Sequence, residues 1–331
     1  MIDTLFRAYT PLLAWTCLGL LLFRFIPASV PKLLGLMLYW VGVPLQLLVL
    51  ARQTELSNGG GLIPLVAVGV LLLSMGLAQL SWWGLQWLIS QKATEQSQEN
   101  QNFLLNFLSF SFNSLERSSQ GSFILAATLG NTGFVGLALT EILFGAEHRN
   151  WAVLFSLTSN VIGTYGIAVF IASYFGRSET QNHWWIQLRD VLTVPSLWAF
   201  IIGFNTRSVE LPLVIESGLD QAVWVVISSA LLLVGLRLGS LQGWRSIKLA
   251  LIPTLLKVVI VPVLVGLGAT YLGVSDESSL VLVLMSGTPT GLSVLILAEV
   301  YDLDRELLTS SIAMTFVGLL LMLPLWLAWF S

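Results

Sequence analysis

Long apolar runs follow one another along this chain, separated by short polar stretches. A helix needs about 20 apolar residues to cross a bilayer. Runs of that order lie near 10–27, 33–51, 62–88, 122–144, 151–175, 191–205, 219–240, 247–272, 279–299 and 307–330. The pattern predicts an all-α membrane protein with ten transmembrane helices, the sixth of them short. Two runs are interrupted in the middle. Phe123–Gly145 contains Gly130-Asn131-Thr132-Gly133, and Leu280–Val300 contains Gly287-Thr288-Pro289-Thr290-Gly291. Glycine weakens a helix, and proline lacks an N–H and clashes with the preceding turn. In lipid, the backbone groups freed there must find partners inside protein or beside a water-filled cavity. Paired, interrupted segments in the two halves of a membrane protein point to a transport site.

The two halves also match each other. At an offset of 184, Pro11, Gly19 and Trp40 meet Pro195, Gly203 and Trp224. At 189, Ile63-Pro64 meets Ile252-Pro253. At 158, Thr132-Gly133 meets Thr290-Gly291 and Glu141 meets Glu299. At 155, Ser156, Asn160 and Gly163 meet Ser311, Thr315 and Gly318. The fall from 189 to 158 matches the length of one insertion, the polar loop 91–121. Five spans are odd in number, so the second half enters the membrane from the other side, giving an inverted 5+5 repeat. In the loop itself, Phe103, Phe107 and Phe110 are spaced as in a helix, with Asn106, Ser109 and Asn113 between them. That half reads either as an interfacial amphipathic helix or as a cytoplasmic start to the fourth span.

Composition agrees with a membrane protein. The 331 residues are 56% hydrophobic and 10% charged, where a soluble protein carries about 25% charged residues. The net charge of −3 is spread over short loops, which argues against nucleic acid as a partner. The single Cys17 excludes an internal disulfide, and His148 and His183 both lie in loops, so neither a metal site nor a cofactor is expected. Pro11–Pro27 reads as a first transmembrane helix rather than a signal peptide. Trp82, Trp83, Trp87, Trp151, Trp224, Trp326 and Trp329 sit near span ends, where they form an interfacial belt or pack between helices.

Lysine and arginine set the orientation. Ten (Arg24, Lys32, Lys92, Arg117, Arg177, Arg189, Arg237, Arg245, Lys248 and Arg305) fall on one side, against Arg7, Arg52, Arg149 and Arg207 on the other. The basic side faces the cytoplasm, so both termini are expected outside a plasma (inner) membrane.

Candidate chemistry centres on the interruptions. If both helices unwind near the midplane, their half-helix N-termini offer positive dipole ends to an anion. Gly130, Asn131, Thr132, Gly133, Thr288, Pro289, Thr290 and Gly291 would form the site, the Asn and Thr side chains adding hydrogen bonds. The competing reading is that these small residues only allow close helix packing. Asn160, in a stripe with Ser156, Gly163 and Thr164, and Thr315, in a stripe with Ser311 and Gly318, either line the site or act as interhelical glue. Glu141 and Glu299 lie eight residues beyond Gly133 and Gly291, about 12 Å along a helix. They read as interfacial carboxylates or as groups coupling transport to H+ or Na+. Gln46 and Ser228 are candidates to line the cavity and Pro44 and Pro262 to kink spans 2 and 8, while Lys257 reads as snorkelling to the cytoplasmic face in preference to contacting an anionic substrate. No phosphate-binding loop, H-E-x-x-H or G-x-S-x-G is present. The chain therefore reads as neither an ATP-driven pump nor an enzyme, and a solute or ion gradient must supply the energy.

GNTGFVGLALTEILFG resembles the fourth-helix motif of the auxin efflux carrier family. SGTPTGLSVLILAEVYDLDRELLTSSIAMTFVGLLLMLPLW resembles that family's ninth and tenth helices, and YWVGVPLQLLVLAR its second. The resemblance implies a bacterial-type member, related in fold to bile acid–sodium symporters. It also implies helices 4 and 9 crossing at the substrate site. On that plan residues 1–90 hold helices 1–3, of which 1 and 2 are scaffold and 3 belongs to the transport domain. Residues 91–121 are the cytoplasmic loop, 122–175 transport helices 4 and 5, 176–246 scaffold helices 6 and 7, and 247–331 transport helices 8–10. The scaffold is expected to make a homodimer contact. Plant auxin exporters carry prolines at the crossing; Pro289 matches one, and Gly130 stands at the other. The implied activity is efflux of a small organic anion, such as a carboxylate or auxin-like compound, by alternating access. Two other readings stand beside it: a sodium- or proton-coupled organic-anion symporter of the bile acid type, and a non-transporting membrane sensor or scaffold that uses loop 91–121.

Overall fold

The computed structural model describes residues 2–27, 29–54, 61–94, 116–145, 148–176, 183–239 and 244–330. The amphipathic helix expected around Phe103–Phe110 lies outside the described residues. Among those described, every regular element is a helix, and one isolated antiparallel bridge joins Gly130 to Thr290. In order they are α1 (Ile2–Leu22), α2 (Ser29–Arg52), α3 (Leu62–Thr94), α4 (Arg117–Thr128), α5 (Thr132–Phe144) and α6 (Arg149–Gly176). There follow α7 (Trp184–Leu192), α8 (Pro195–Asn205), α9 (Leu213–Gly239), α10 (Ser246–Tyr271), α11 (Asp276–Ser286), α12 (Leu292–Tyr301) and α13 (Arg305–Trp329).

Six of these helices are long and apolar enough to cross a membrane, or seven if the bent pair α7–α8 is one span. The ten-span expectation differs from this count for a physical reason. The apolar part of α1, Phe6–Leu22, is short, and the fourth and ninth stretches are each broken into two pieces, α4–α5 and α11–α12. The sixth stretch, expected over 191–205, is two helices bent by 49°, the second opening on Pro195 at its first turn.

Close backbone approach organises the periphery. A Cβ on Gly19 of α1 would fall on the carbonyl oxygen of Leu232 in α9, and a Cβ on Gly203 of α8 on that of Leu48 in α2. Glycine alone lets these helix pairs come so near. Large apolar side chains such as Leu21, Leu65, Leu213 and Leu272 point outward, as lipid requires. The interior packs apolar side chains such as Leu125, Leu139 and Leu297 and also holds small polar residues, among them Thr128, Thr132, Ser286, Thr288, Thr290, Ser311 and Thr315.

Several helices carry a wide π turn, at Leu38–Gly42 in α2, Thr132–Gly136 in α5, Ser159–Ala168 in α6 and Leu256–Ile260 in α10. Those in α2 and α10 end just before Pro44 and Pro262, whose missing N–H and bulky ring disturb the preceding turn. The kinks expected from these prolines thus coincide with wide turns.

Candidate functional site

The two breaks meet. Asn131 N donates to Pro289 O at 2.6 Å, and Gly291 N donates to Leu129 O at 3.1 Å. Backbone groups freed by one interruption are satisfied by the other, as a dry environment demands. Pro289 has no N–H, so the first bond has no reciprocal. Asn131 precedes α5 as its N-cap, with φ −80° and ψ 59°, and its Oδ1 accepts from Phe134 N at 3.3 Å.

Threonines tie this crossing to its surroundings. Thr290 Oγ1 donates to Ala126 O at 2.9 Å, and Thr288 Oγ1 to Met285 O at 3.0 Å. The stripe residues reach the same place from α6 and α13. Asn160 Nδ2 lies 3.3 Å from Thr132 Oγ1 and 2.8 Å from Ser156 O, and Thr290 N donates to Thr315 Oγ1 at 2.9 Å. Gln46 Nε2, from α2, donates to Gly133 O at 2.7 Å.

A small cavity of about 20 Å³ lies at the crossing, room for roughly one water. Gly130, Asn131, Gly133, Asn160, Gly291 and Gln46 line it, together with Val43, Phe134, Tyr165, Leu292 and Ser293. The remaining residues singled out from the sequence, Thr132, Thr288, Pro289, Thr290 and Thr315, lie within the crossing but do not line that cavity. Ser228 is half-buried in α9 and lines neither this cavity nor the larger pocket next to it.

That larger pocket, about 200 Å³, shares Gln46 with the crossing cavity. One wall comes from α2 and α9 with Gln53, Asp220 and Trp224; the other comes from α5 and α6 with Ala138, Glu141 and Arg149. Gln53 Nε2 donates to Asp220 Oδ1 at 2.9 Å, and Arg149 Nη2 lies 3.4 Å from Gln53 Oε1. Glu141 is exposed here. Glu299 is not its equivalent in environment: its Oε1 lies 2.7 Å from Arg237 Nη2, with both side chains largely buried.

Lys257 also departs from expectation. It does not snorkel: only 2% of it is exposed, and its Nζ donates to Thr128 O at 3.0 Å. Thr128 ends α4, so the ammonium caps the negative end of a half-helix. A Cβ on Gly130 would overlap Thr288 Oγ1 and come within 3.1 Å of Lys257 Nζ. Glycine therefore occupies this crossing position because the threonine hydroxyl and the ammonium leave no room beside its Cα. Tyr165 and Ser293 are not singled out by the sequence, whereas Lys257 is, as a snorkelling residue or a contact for an anionic substrate. The one signal for Lys257 was a lone cation deep inside an apolar span.

Among the described residues no group of three His, Cys, Asp or Glu side chains is placed to hold a metal. Residues 184–327 match the family model described as membrane transport protein. An uncharacterized transporter of Methanocaldococcus jannaschii is 24% identical over 217 residues, which cover 64% of this chain and 69% of that protein. An uncharacterized transporter of Methanothermobacter thermautotrophicus is 26% identical over 208 residues, covering 61% of this chain and 65% of that protein. With its apolar helices, this is a multi-pass membrane chain that is similar over residues 184–327 to the family described as membrane transport protein, and over about three fifths of its length to two uncharacterized transporters.

Proposed function

We propose that the chain carries a small organic anion across the plasma membrane by alternating access, the substrate group engaging the crossing of α4–α5 and α11–α12. The observation that carries this reading is the charge arrangement at the crossing. The first residues of α5 and α12 border one cavity, and a half-helix N-terminus favours negative charge. The buried Lys257 amine stands beside Gly130, and an approaching anion favours its protonated form. An anion is the species such an environment stabilises, and a carboxylate suits the hydrogen-bonding groups that border the cavity.

The inverted 5+5 plan is part of the proposal, and several contacts support it. The offset of 184 that relates Gly19 to Gly203 also relates Leu232 to Leu48, the residues on which those glycines pack. The contact of Asn160 with Thr132 has its counterpart in that of Thr315 with Thr290. On this plan α1, α2 and α7–α9 are a fixed scaffold, α3–α6 and α10–α13 a moving transport domain. Loop charges put the Arg149 side of the molecule outside, with both termini. The pocket holding Gln53 and Glu141 is then an outer vestibule between scaffold and transport domain, and the chain is in an outward-open state. The crossing cavity is too small for a carboxylate there, so it widens when substrate enters.

Asn131→Ala tests the site. Flux of a panel of carboxylates into proteoliposomes, with and without pH and sodium gradients, is expected to fall to background in the variant. The lost cap costs about 0.5–2 kcal/mol, which leaves the protein folded and monodisperse. Unchanged flux would remove Asn131 from the site. Flux that requires sodium would favour the symporter reading instead.

A further inference from the structure

The Arg237–Glu299 pair has a partner site related to it by the repeat. The offset of 184 carries Arg237 to Gln53, and the offset of 158 carries Glu299 to Glu141. Gln53 and Glu141 border the outer pocket from its two walls. Arg237 and Glu299 are instead joined at 2.7 Å, on α9 and α12, with 16% and 10% of their side chains exposed. Gly35 of α2 closes over them: a Cβ there would lie 3.7 Å from Ile296 Cγ1 and 3.8 Å from Arg237 Nη2. The equivalent positions therefore border a pocket at one end of the molecule and are ion-paired at the other.

We propose that the Arg237–Glu299 ion pair is the inner latch of the transport cycle, holding scaffold to transport domain while the outer vestibule is open, and breaking when the inner side opens. This rests on the alternating-access reading above. The energetic argument is that of a largely buried pair. Two charges held together out of water tolerate burial, whereas removing one leaves the other desolvated without its partner. Opening the inner side lets water reach that remaining charge, so a single neutralisation penalises the state in which the inner side is closed. Restoring opposite charges in exchanged positions removes the penalty. At the outer end the bridge between the walls is Arg149 on the neutral amide of Gln53 at 3.4 Å, a weaker contact than the inner ion pair. The resting state is set by this difference between the two ends.

The test uses Ala138, in the wall of the outer vestibule, as a reporter. Ala138→Cys is introduced into the full chain with Cys17→Ser, and right-side-out membrane vesicles are treated with a membrane-impermeant thiol reagent. The parent reporter is expected to react rapidly. Adding Glu299→Gln or Arg237→Gln should slow its reaction by about tenfold as the population moves to the inward-open state. The exchanged pair Arg237→Glu with Glu299→Arg should return the rate to within about twofold of the parent, which also shows that the single variants did not simply misfold. Rapid labelling that persists in both single variants overturns the latch and leaves the transport reading standing. A parent reporter that does not react from outside overturns the outward-open reading itself, and the latch with it.

Discussion

Gly130→Ala probes the crossing most directly. The added methyl would overlap Thr288 Oγ1 and press on Lys257, at 3.1 Å from Nζ and 3.2 Å from Cε. Neither neighbour yields easily. Thr288 is fully buried with its hydroxyl bonded to Met285 O, and the Lys257 ammonium is bonded to Thr128 O. An extra methyl in such a site costs about 1–3 kcal/mol. Lifting Gly130 off Thr288 also strains the bond from Asn131 N to Pro289 O. Thermal unfolding in detergent, followed by size-exclusion chromatography, should show Gly130→Ala less stable by that amount. Thr288→Ala removes the overlapping oxygen at the price of one hydrogen bond. In a double-mutant cycle the pair should therefore be more stable than the sum of the single losses, by about 1 kcal/mol or more. A Gly130→Ala protein as stable as the parent would refute the reasoning, as would additive losses.

Two further outcomes follow from the same geometry. Lys257→Met is expected to keep or raise thermal stability, since an apolar side chain of similar length replaces a buried charge. It should nonetheless lower carboxylate flux in proteoliposomes about tenfold or more, and unchanged flux would dissociate Lys257 from the substrate. Gly19→Ala and Gly203→Ala are expected to destabilise the protein by similar amounts, about 1–3 kcal/mol each. Clearly unequal melting shifts would count against the equivalence of the two halves.

Much of the site was legible because its chemistry interrupts a periodic pattern. Glycines and a proline in the middle of apolar runs have few uses in lipid, and both interruptions fall at the crossing. Asn160 and Thr315 were visible because a polar stripe on an apolar helix must face something polar. What one dimension could not give was direction. Lys257 is placed about three turns into its span by counting, yet only the Leu256–Ile260 turn and the end of α4 decide that its ammonium meets Thr128 rather than the membrane surface. The partner of Glu299 was hidden in the same way, because Arg237 was counted with the loops although it lies in the last turn of α9. Thr132, Thr288 and Thr290 were read as donors to a ligand, but their side chains meet protein: Thr132 Oγ1 meets Asn160, and the hydroxyls of Thr288 and Thr290 are spent on backbone carbonyls. Spacing does not reveal which partner a hydroxyl takes.

The wide turns give the site an unusual dependence on chain length. A π turn holds one more residue than the α turn it replaces, and such turns recur at functional sites. Each residue advances an α-helix by about 100°. Deleting one residue from Leu256–Ile260, or from the corresponding turns of α2, α5 or α6, would let the helix close into regular form. The flanking halves would keep nearly their present relation, because the α turn covers the same arc with one residue fewer, and only the residues within the turn would rotate out of place. The apolar surface tolerates such a rotation, because leucine and valine face outward on almost every side. A polar contact made from within a turn does not: Lys257 would leave Thr128. Among relatives of this chain, the register of these turns is therefore a better marker of a working site than overall hydropathy or the number of spans.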